Sequence, residues 1–318
     1  WFQGQYYVGL EDDYDMGIGF DYALGDKGEI QLAYFRQAEP EGPIYGGDVT
    51  FGNAGAGRYS YDITAGNNYS AGAYDYKESI RELNTVNARI AYEFIDGLEI
   101  GASGQVGGIY NDYLEEAEIG MAFEGHVVAD FAGFNLKAQY THYNYAGKGV
   151  KVDPTGVEDD ETYDLGTVQM GAYGFNYPVA SSSNIYTAGL AYSIPVEFGP
   201  ISNIQPYVDF TMIDKPDEIK MMGQKVKAAD TYHLVPGFLV TAGSIYTYVD
   251  FALGKNQPWL TENFGVGLGQ GRTWNYAADP DEMEQYYYTD DMDKVGEPVE
   301  LKDMPWNLRF NINVGYYF

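Results

Sequence analysis

The side chains able to do chemistry are poorly arranged for catalysis. Histidine occurs only at His126, His142 and His233, and no pair stands at metal-ligand spacing. Cysteine is absent, which removes disulfide frameworks, thiol nucleophiles and Cys-ligated zinc. No GxSxG elbow is present. The glycine run GVGLGQG at 265–271 lacks the strand-to-helix setting of a phosphate cradle and reads as loop. Two acidic clusters, DPTGVEDDETYD at 153–164 and DPDEMEQYYYTDDMD at 279–293, carry oxygen ligands of the kind Ca²⁺ takes. Asp159, Asp160, Asp279 and Asp281 are the candidate ligands. Neither cluster has EF-hand spacing, and a solvated anionic rim is the competing reading.

Composition narrows the field further. The 318 residues hold 18 Lys+Arg against 47 Asp+Glu, a formal net charge of −29. A chain this acidic cannot neutralise phosphates, so nucleic acid is excluded as a partner. Hydrophobic residues make up 45%, enough to bury a large apolar surface, and 32 Tyr dominate the aromatics. The longest apolar run, Leu234 to Val240, is interrupted by Pro236 and Gly237. That is far short of the roughly 20 residues of a spanning helix.

The elements that must position these groups have the period of strands. Trp306, Leu308, Phe310, Ile312, Val314, Tyr316 and Phe318 fall on one face, and Asn307, Arg309, Asn311, Asn313, Gly315 and Tyr317 on the other. The same separation recurs in Val86 to Phe94, Leu98 to Val106, Ile119 to Phe131, Phe134 to Tyr140, Tyr186 to Ile194, Ile204 to Met212, Tyr232 to Val240 and Ile245 to Leu253. Met16 to Leu24 and Ile30 to Tyr34 fit as well. Runs of about ten residues match tilted strands that cross a bilayer.

A soluble β-sandwich also alternates, so the connections must discriminate. Short ones fall at 25–27, 96–97, 132–133, 198–202 and 242–243; long ones fall at 37–84, 145–183, 214–229 and 254–305. Short turns on one side and long loops on the other is the asymmetry of outer-membrane barrels. Phe94, Phe131, Phe134, Phe198 and Phe318 cluster beside the short turns, as an interfacial girdle would. The expected fold is all-β: one transmembrane antiparallel β-barrel domain over 1–318. Twelve strands are expected, at 4–10, 14–24, 28–37, 85–96, 98–110, 117–131, 134–144, 184–196, 203–213, 230–241, 244–254 and 305–318. The extended stretch 166–177 is assigned to the 145–183 loop, because counting it would break the parity.

The ending Gly315-Tyr316-Tyr317-Phe318 and the opening YYVGLEDDYDMGIGFDYAL of Tyr6 to Leu24 resemble Gram-negative outer-membrane porins, the second those of the phosphate- or carbohydrate-selective kind. In those families a segment like the opening one follows several earlier strands. The resemblance therefore implies a sixteen-stranded wall whose N-terminal strands are missing here. It also implies assembly into the outer membrane against lipid and lipopolysaccharide, a homotrimer, and passage of small hydrophilic solutes without a cofactor.

On this register the pore-lining charges are Glu93, Glu124, Asp130, Asp209 and Asp250, with His126 and with Arg89, Lys137 and Arg309 as the bases. Asp15, Asp21, Glu29 and Glu99 read equally well as lumen or as solvated rim. Acidic linings favour cations, whereas phosphate selectivity needs ladders of Arg and Lys. The 37–84 loop, with Glu39, Glu41, Asp48 and Arg58, is the candidate constriction, or alternatively a lid. The expected function is a passive porin favouring cations or neutral solutes, and not an enzyme. A non-conducting structural or adhesive surface barrel is the rival, and an outer-membrane barrel protease or lipase the enzymatic alternative.

Overall fold

A computed structural model describes residues 4–11, 15–37, 62–63, 69–71, 73–157, 159–172, 175–216, 218–221, 224–227, 230–257, 260 and 306–317. The protein is all-β and antiparallel, built on one sheet of twelve strands. These are β1 (Met16–Ala23), β2 (Gly28–Gln37), β3 (Ile80–Ile95), β4 (Leu98–Asn111), β5 (Glu116–Phe131), β6 (Phe134–Asn144), β7 (Ser182–Tyr192), β8 (Ile194–Phe198), β9 (Ile201–Asp214), β10 (Thr231–Ala242), β11 (Ile245–Lys255) and β12 (Asn307–Tyr316). β7 and β8 are successive pieces that both pair with β9, and every other strand pairs with its sequence neighbours. β1 and β12 are the two ends of the ladder, and among the described residues no pairing joins them.

Outside residues 4–10, the expected inside–outside alternation is the observed one, with the expected strand 184–196 split at Ser193 into β7 and β8. Ile18, Phe20, Leu32, Val86, Ile90, Ile119, Phe123, Leu136, Leu190, Phe238, Phe251, Leu308, Phe310, Ile312 and Val314 are all exposed. The residues between them carry the polar and charged set. Water on one face of a soluble sheet would select the opposite arrangement.

Turn chemistry sets the short ends. Phe131 pairs with Phe134 across two residues, and Ala132 (φ 50) and Gly133 (φ 85) both take left-handed backbone. Positive φ at both positions is the I′ geometry that matches the twist of the flanking strands. Phe94, Phe131, Phe134 and Phe198 stand exposed beside these turns; Phe318 lies outside the described residues. At the other end the connections build small sheets of their own. Strands Tyr69–Ala71, Tyr74–Lys77, Lys148–Val152 and Glu161–Asp164 form one, and Asp62–Ile63, Thr167–Ala172 and Phe175–Ala180 form another. Within the 166–177 stretch, Thr167–Ala172 and the start of Phe175–Ala180 are extended and lie outside the main sheet, as expected.

One expected strand is absent. Residues 4–10 alternate in sequence, yet Tyr6–Val8 is a 3₁₀ turn ended by Gly9 at φ 72. Tyr7 and Val8 are buried in a cluster with Ile63, Ile80, Ile109, Tyr143, Ile185 and Ile213. The segment lies against the polar face of the sheet instead of extending the ladder. Its own contacts explain why: Gln5, 1% exposed, donates from Nε2 to Thr141 Oγ1 at 3.0 Å and accepts from Thr187 Oγ1 at 3.3 Å. The Tyr145 hydroxyl donates to the Val8 carbonyl.

These contacts also fix the curvature. Leu10 shares a cavity with Gln31 and Phe35 of β2, while the Tyr7 ring meets His233 of β10 edge-on at 6.2 Å. In a flat sheet β2 and β10, seven pairings apart, would stand about 34 Å apart at about 4.8 Å per strand. Eight residues span at most about 28 Å even when fully extended. The sheet must therefore curl around the 4–11 segment, with its polar face concave.

Candidate functional site

The concave face gathers its charges on neighbouring strands. Arg89 of β3 stands beside Ser103 of β4, which in turn faces Glu124 of β5. The Arg89 guanidinium pairs with Glu29 and, at 3.7 Å, with Glu99. His126 sits between two carboxylates, with Nε2 3.3 Å from Glu99 and Nδ1 3.4 Å from Glu124. Gln139 of β6 donates to Glu124. The chain Glu29–Arg89–Glu99–His126–Glu124–Gln139 thus runs across five strands. Gly101 makes room for it, because a Cβ there would collide with the His126 ring.

Glu29 and Glu99, equally readable as rim or lining from the sequence, belong to this network. Asp21 is exposed on β1. Glu93 accepts the Gly97 amide at 2.7 Å and Asp130 accepts from Asn135 at 2.7 Å, both beside short turns. Glu29, Glu93, Glu99 and Asp130 line a recess of about 450 Å³ at that end.

A second polar group sits further round the curve. Asp250 of β11 is 1% exposed and accepts from the Tyr207 hydroxyl at 3.0 Å and from Asn311 at 2.9 Å. Tyr207 and Asp250 close over Gly237, where a Cβ would have no room. Lys137 pairs in register with Gly189, and Gly189 with Asp209. A Cβ on Gly189 would lie 2.6 Å from the Asp209 carboxylate. Arg309 of β12 lies near the Tyr7 phenol, whose pKa burial pushes up while a bond from Gln257 and the Arg309 charge oppose the rise.

The 4–11 segment adds groups that periodicity missed. Glu11 is pushed above the usual carboxylate range by burial first and by the neighbouring Glu124 charge second, with Gln139 working the other way. Gln5, Leu10, Gln31, Phe35, Asn87, Arg89, Ser103, Gln105, Glu124 and Thr141 enclose a cavity of about 310 Å³. A strand-like alternation in 4–10 concealed this; the run Gly9-Leu10-Glu11, with glycine at its turn, was the available sign.

The remaining candidates do not converge. His142 bonds Asn184 at 3.0 Å and stacks on Phe123, while His233 is buried against Tyr7. Among the described residues no group of three or more His, Asp or Glu is placed to hold a metal ion; Glu158, beside Asp159 and Asp160 in the same acidic cluster, lies outside the described residues. Asp160 instead accepts from the Tyr113 hydroxyl at 3.2 Å. Asp279 and Asp281 lie outside the described residues, as do Glu39, Glu41, Asp48 and Arg58 of the expected constriction. Searches against protein-family models and curated protein sequences return no match.

Proposed function

We propose that the sheet is the wall of an outer-membrane β-barrel and that its concave face lines a passive pore for small hydrophilic solutes. One observation carries this reading: strand after strand presents exposed Ile, Leu, Val and Phe on the convex face and charged or amide side chains on the concave one. Each such apolar side chain forfeits about 1.5–3 kcal/mol when left in water, so a hydrocarbon environment is the one that suits the face. A ten-residue strand tilted about 40° rises about 25 Å, the height of the apolar band of such barrels. The Phe residues beside the short turns suit a headgroup boundary, here facing the periplasm, with the long loops outside. Lipopolysaccharide would then surround the long-loop end, and a homotrimer is the assembly the porin resemblance implies.

Within the pore, Glu29, Glu99 and Glu124 outnumber Arg89, and this favours cations or neutral solutes over anions. The test is reversal potential in a planar bilayer under a salt gradient. Cation preference, reduced by Glu124→Gln and more so at low salt, is expected. Anion preference in the unaltered protein would overturn the acidic-lining argument.

A second reading is favoured by the 4–11 segment. Gln5, Tyr7 and Val8 cross the concave side and join a buried cluster with Ile63, Val168 and Met170 from the long connections. A non-conducting structural barrel would be filled in this way. The same bilayer measurement separates the two, since a filled barrel gives no reproducible conductance steps.

A further inference from the structure

We propose that the cavity between the 4–11 segment and strands β2 to β6 is a binding subsite for a small zwitterion of the free amino-acid class. This rests on the pore reading only for how the solute arrives; the site itself rests on the geometry of its walls.

Three observations carry it. Arg89 and Glu124 flank Ser103 from opposite sides, in register, so their Cα atoms stand roughly 10 Å apart at two strand spacings. They do not bond each other, because each is drawn away: Arg89 by Glu29 and Glu99, Glu124 by Gln139 and His126. A guanidinium and a carboxylate thus line one slot on either side of a small hydroxyl residue, each with bonding capacity left over. Two carboxylates engage only part of the five donors of a guanidinium, and Glu124 retains lone pairs.

The second observation is Asn87. It lines the same cavity, and its Oδ1 is shielded from solvent with no hydrogen-bond partner. An unmatched buried acceptor is costly and calls for a donor. An ammonium brings three.

The third is the shape and remaining chemistry of the walls. At about 310 Å³ the cavity is at the lower end of small-molecule sites, which run from roughly 300 to 1,000 Å³. Gln31 and Gln105 supply amides able to donate or accept, while Leu10 and Phe35 supply an apolar side. A carboxylate toward Arg89, an ammonium toward Glu124 and Asn87, and a short side chain against Leu10 and Phe35 would use all of these. A plain cation leaves Arg89 facing it with the wrong sign. A plain anion leaves Glu124 in the same position.

The test is saturation-transfer NMR on the protein in detergent micelles, titrating four probes of similar size: L-serine, ethanolamine, glycerate and glycerol. L-serine is expected to bind about ten-fold or more tighter than the other three, the difference carried by one charge-assisted contact. Arg89→Gln should bring serine down to the level of ethanolamine, and Glu124→Gln to that of glycerate. Asn87→Leu should weaken serine while leaving the order of the other probes. Equal binding of serine and glycerol, or of serine and ethanolamine, would overturn the proposal whether or not any variant folds. Absence of serine binding in a protein that conducts would overturn the subsite and leave the pore standing. Serine binding in a protein that does not conduct would support the subsite and count against the pore.

Discussion

Replacing Gln5 by Leu should unseat the segment that crosses the concave face. Gln5 is almost fully buried and uses both ends of its amide, as donor to Thr141 and acceptor from Thr187. A net contribution of about 0.5–1.5 kcal/mol per hydrogen bond gives about 1–3 kcal/mol for the two. The balance between seated and released segment should then shift about 5- to 150-fold. Leu keeps the bulk, so the loss is of bonding and not of packing, and the two threonine hydroxyls are left facing an apolar side chain. Amide hydrogen exchange at Tyr7 and Val8 reads the shift directly and needs no assumption about conduction. Under the proposed pore reading, the same variant in a bilayer should spend more time at higher conductance. Exchange at those two amides unchanged from the parent protein would refute the reasoning, because it would mean that the amide bonds do not hold the segment. A faster exchange with unchanged conductance would keep the seating and discard its role as an obstruction.

Other perturbations are simpler. Ala132 holds φ 50 without the freedom of glycine, so Ala132→Asn should stabilise the sheet by about 0.5–1 kcal/mol, visible as a higher unfolding temperature by circular dichroism; a lower temperature would refute the turn assignment. Burial pushes the Lys215 amine down to about 7 from 10.5, with Asp230 opposing the fall, while its Nζ donates to Thr231 at 2.9 Å. Between those values the released amine binds a proton that the buried one does not, so seating of Lys215 should strengthen as pH rises from 7 to 9. Exchange protection at Thr231, corrected for intrinsic rates, should rise over that interval in the parent and stay flat in Lys215→Met; a fall in the parent would refute it. Because the chain has no cysteine, Val157→Cys should be labelled on intact cells and Asp26→Cys should not. The reverse pattern would invert the proposed orientation.

The strand register was legible because two different environments act on alternate residues. Phe20, Val86, Ile119, Leu136 and Phe310 have no other reason to recur in twos. Short turns were equally legible, since Asp96-Gly97 and Ala132-Gly133 leave the chain few ways to reverse. What was not legible is anything made by residues far apart in sequence. Alternation at Tyr6, Val8 and Leu10 is identical for a strand and for a buried crossing segment, and only the bonds to Thr141, Thr187 and Tyr145 decide between them. The same holds for the site. Periodicity placed Arg89, Glu124 and His126 on the polar face, but not which carboxylate each would choose, because that depends on pairing offsets of single residues. Asn87 carried no signal, since a lone amide on a polar face looks like any other.

The 4–11 segment also has a consequence for the order of assembly. Gln5 bonds Thr187 across 182 positions of chain, and Tyr145 reaches Val8 across 137. Closing a loop of that length costs about 4–5 kcal/mol of chain entropy if done early. The hairpins from β3 to β6 close over two to four residues each and carry almost no such cost. The sheet should therefore zip up locally, neighbour by neighbour, while the segment that precedes it waits outside. Its docking becomes the last event on the folding route and the first to reverse, so what covers the concave face is the least committed part of the protein and the sheet its most.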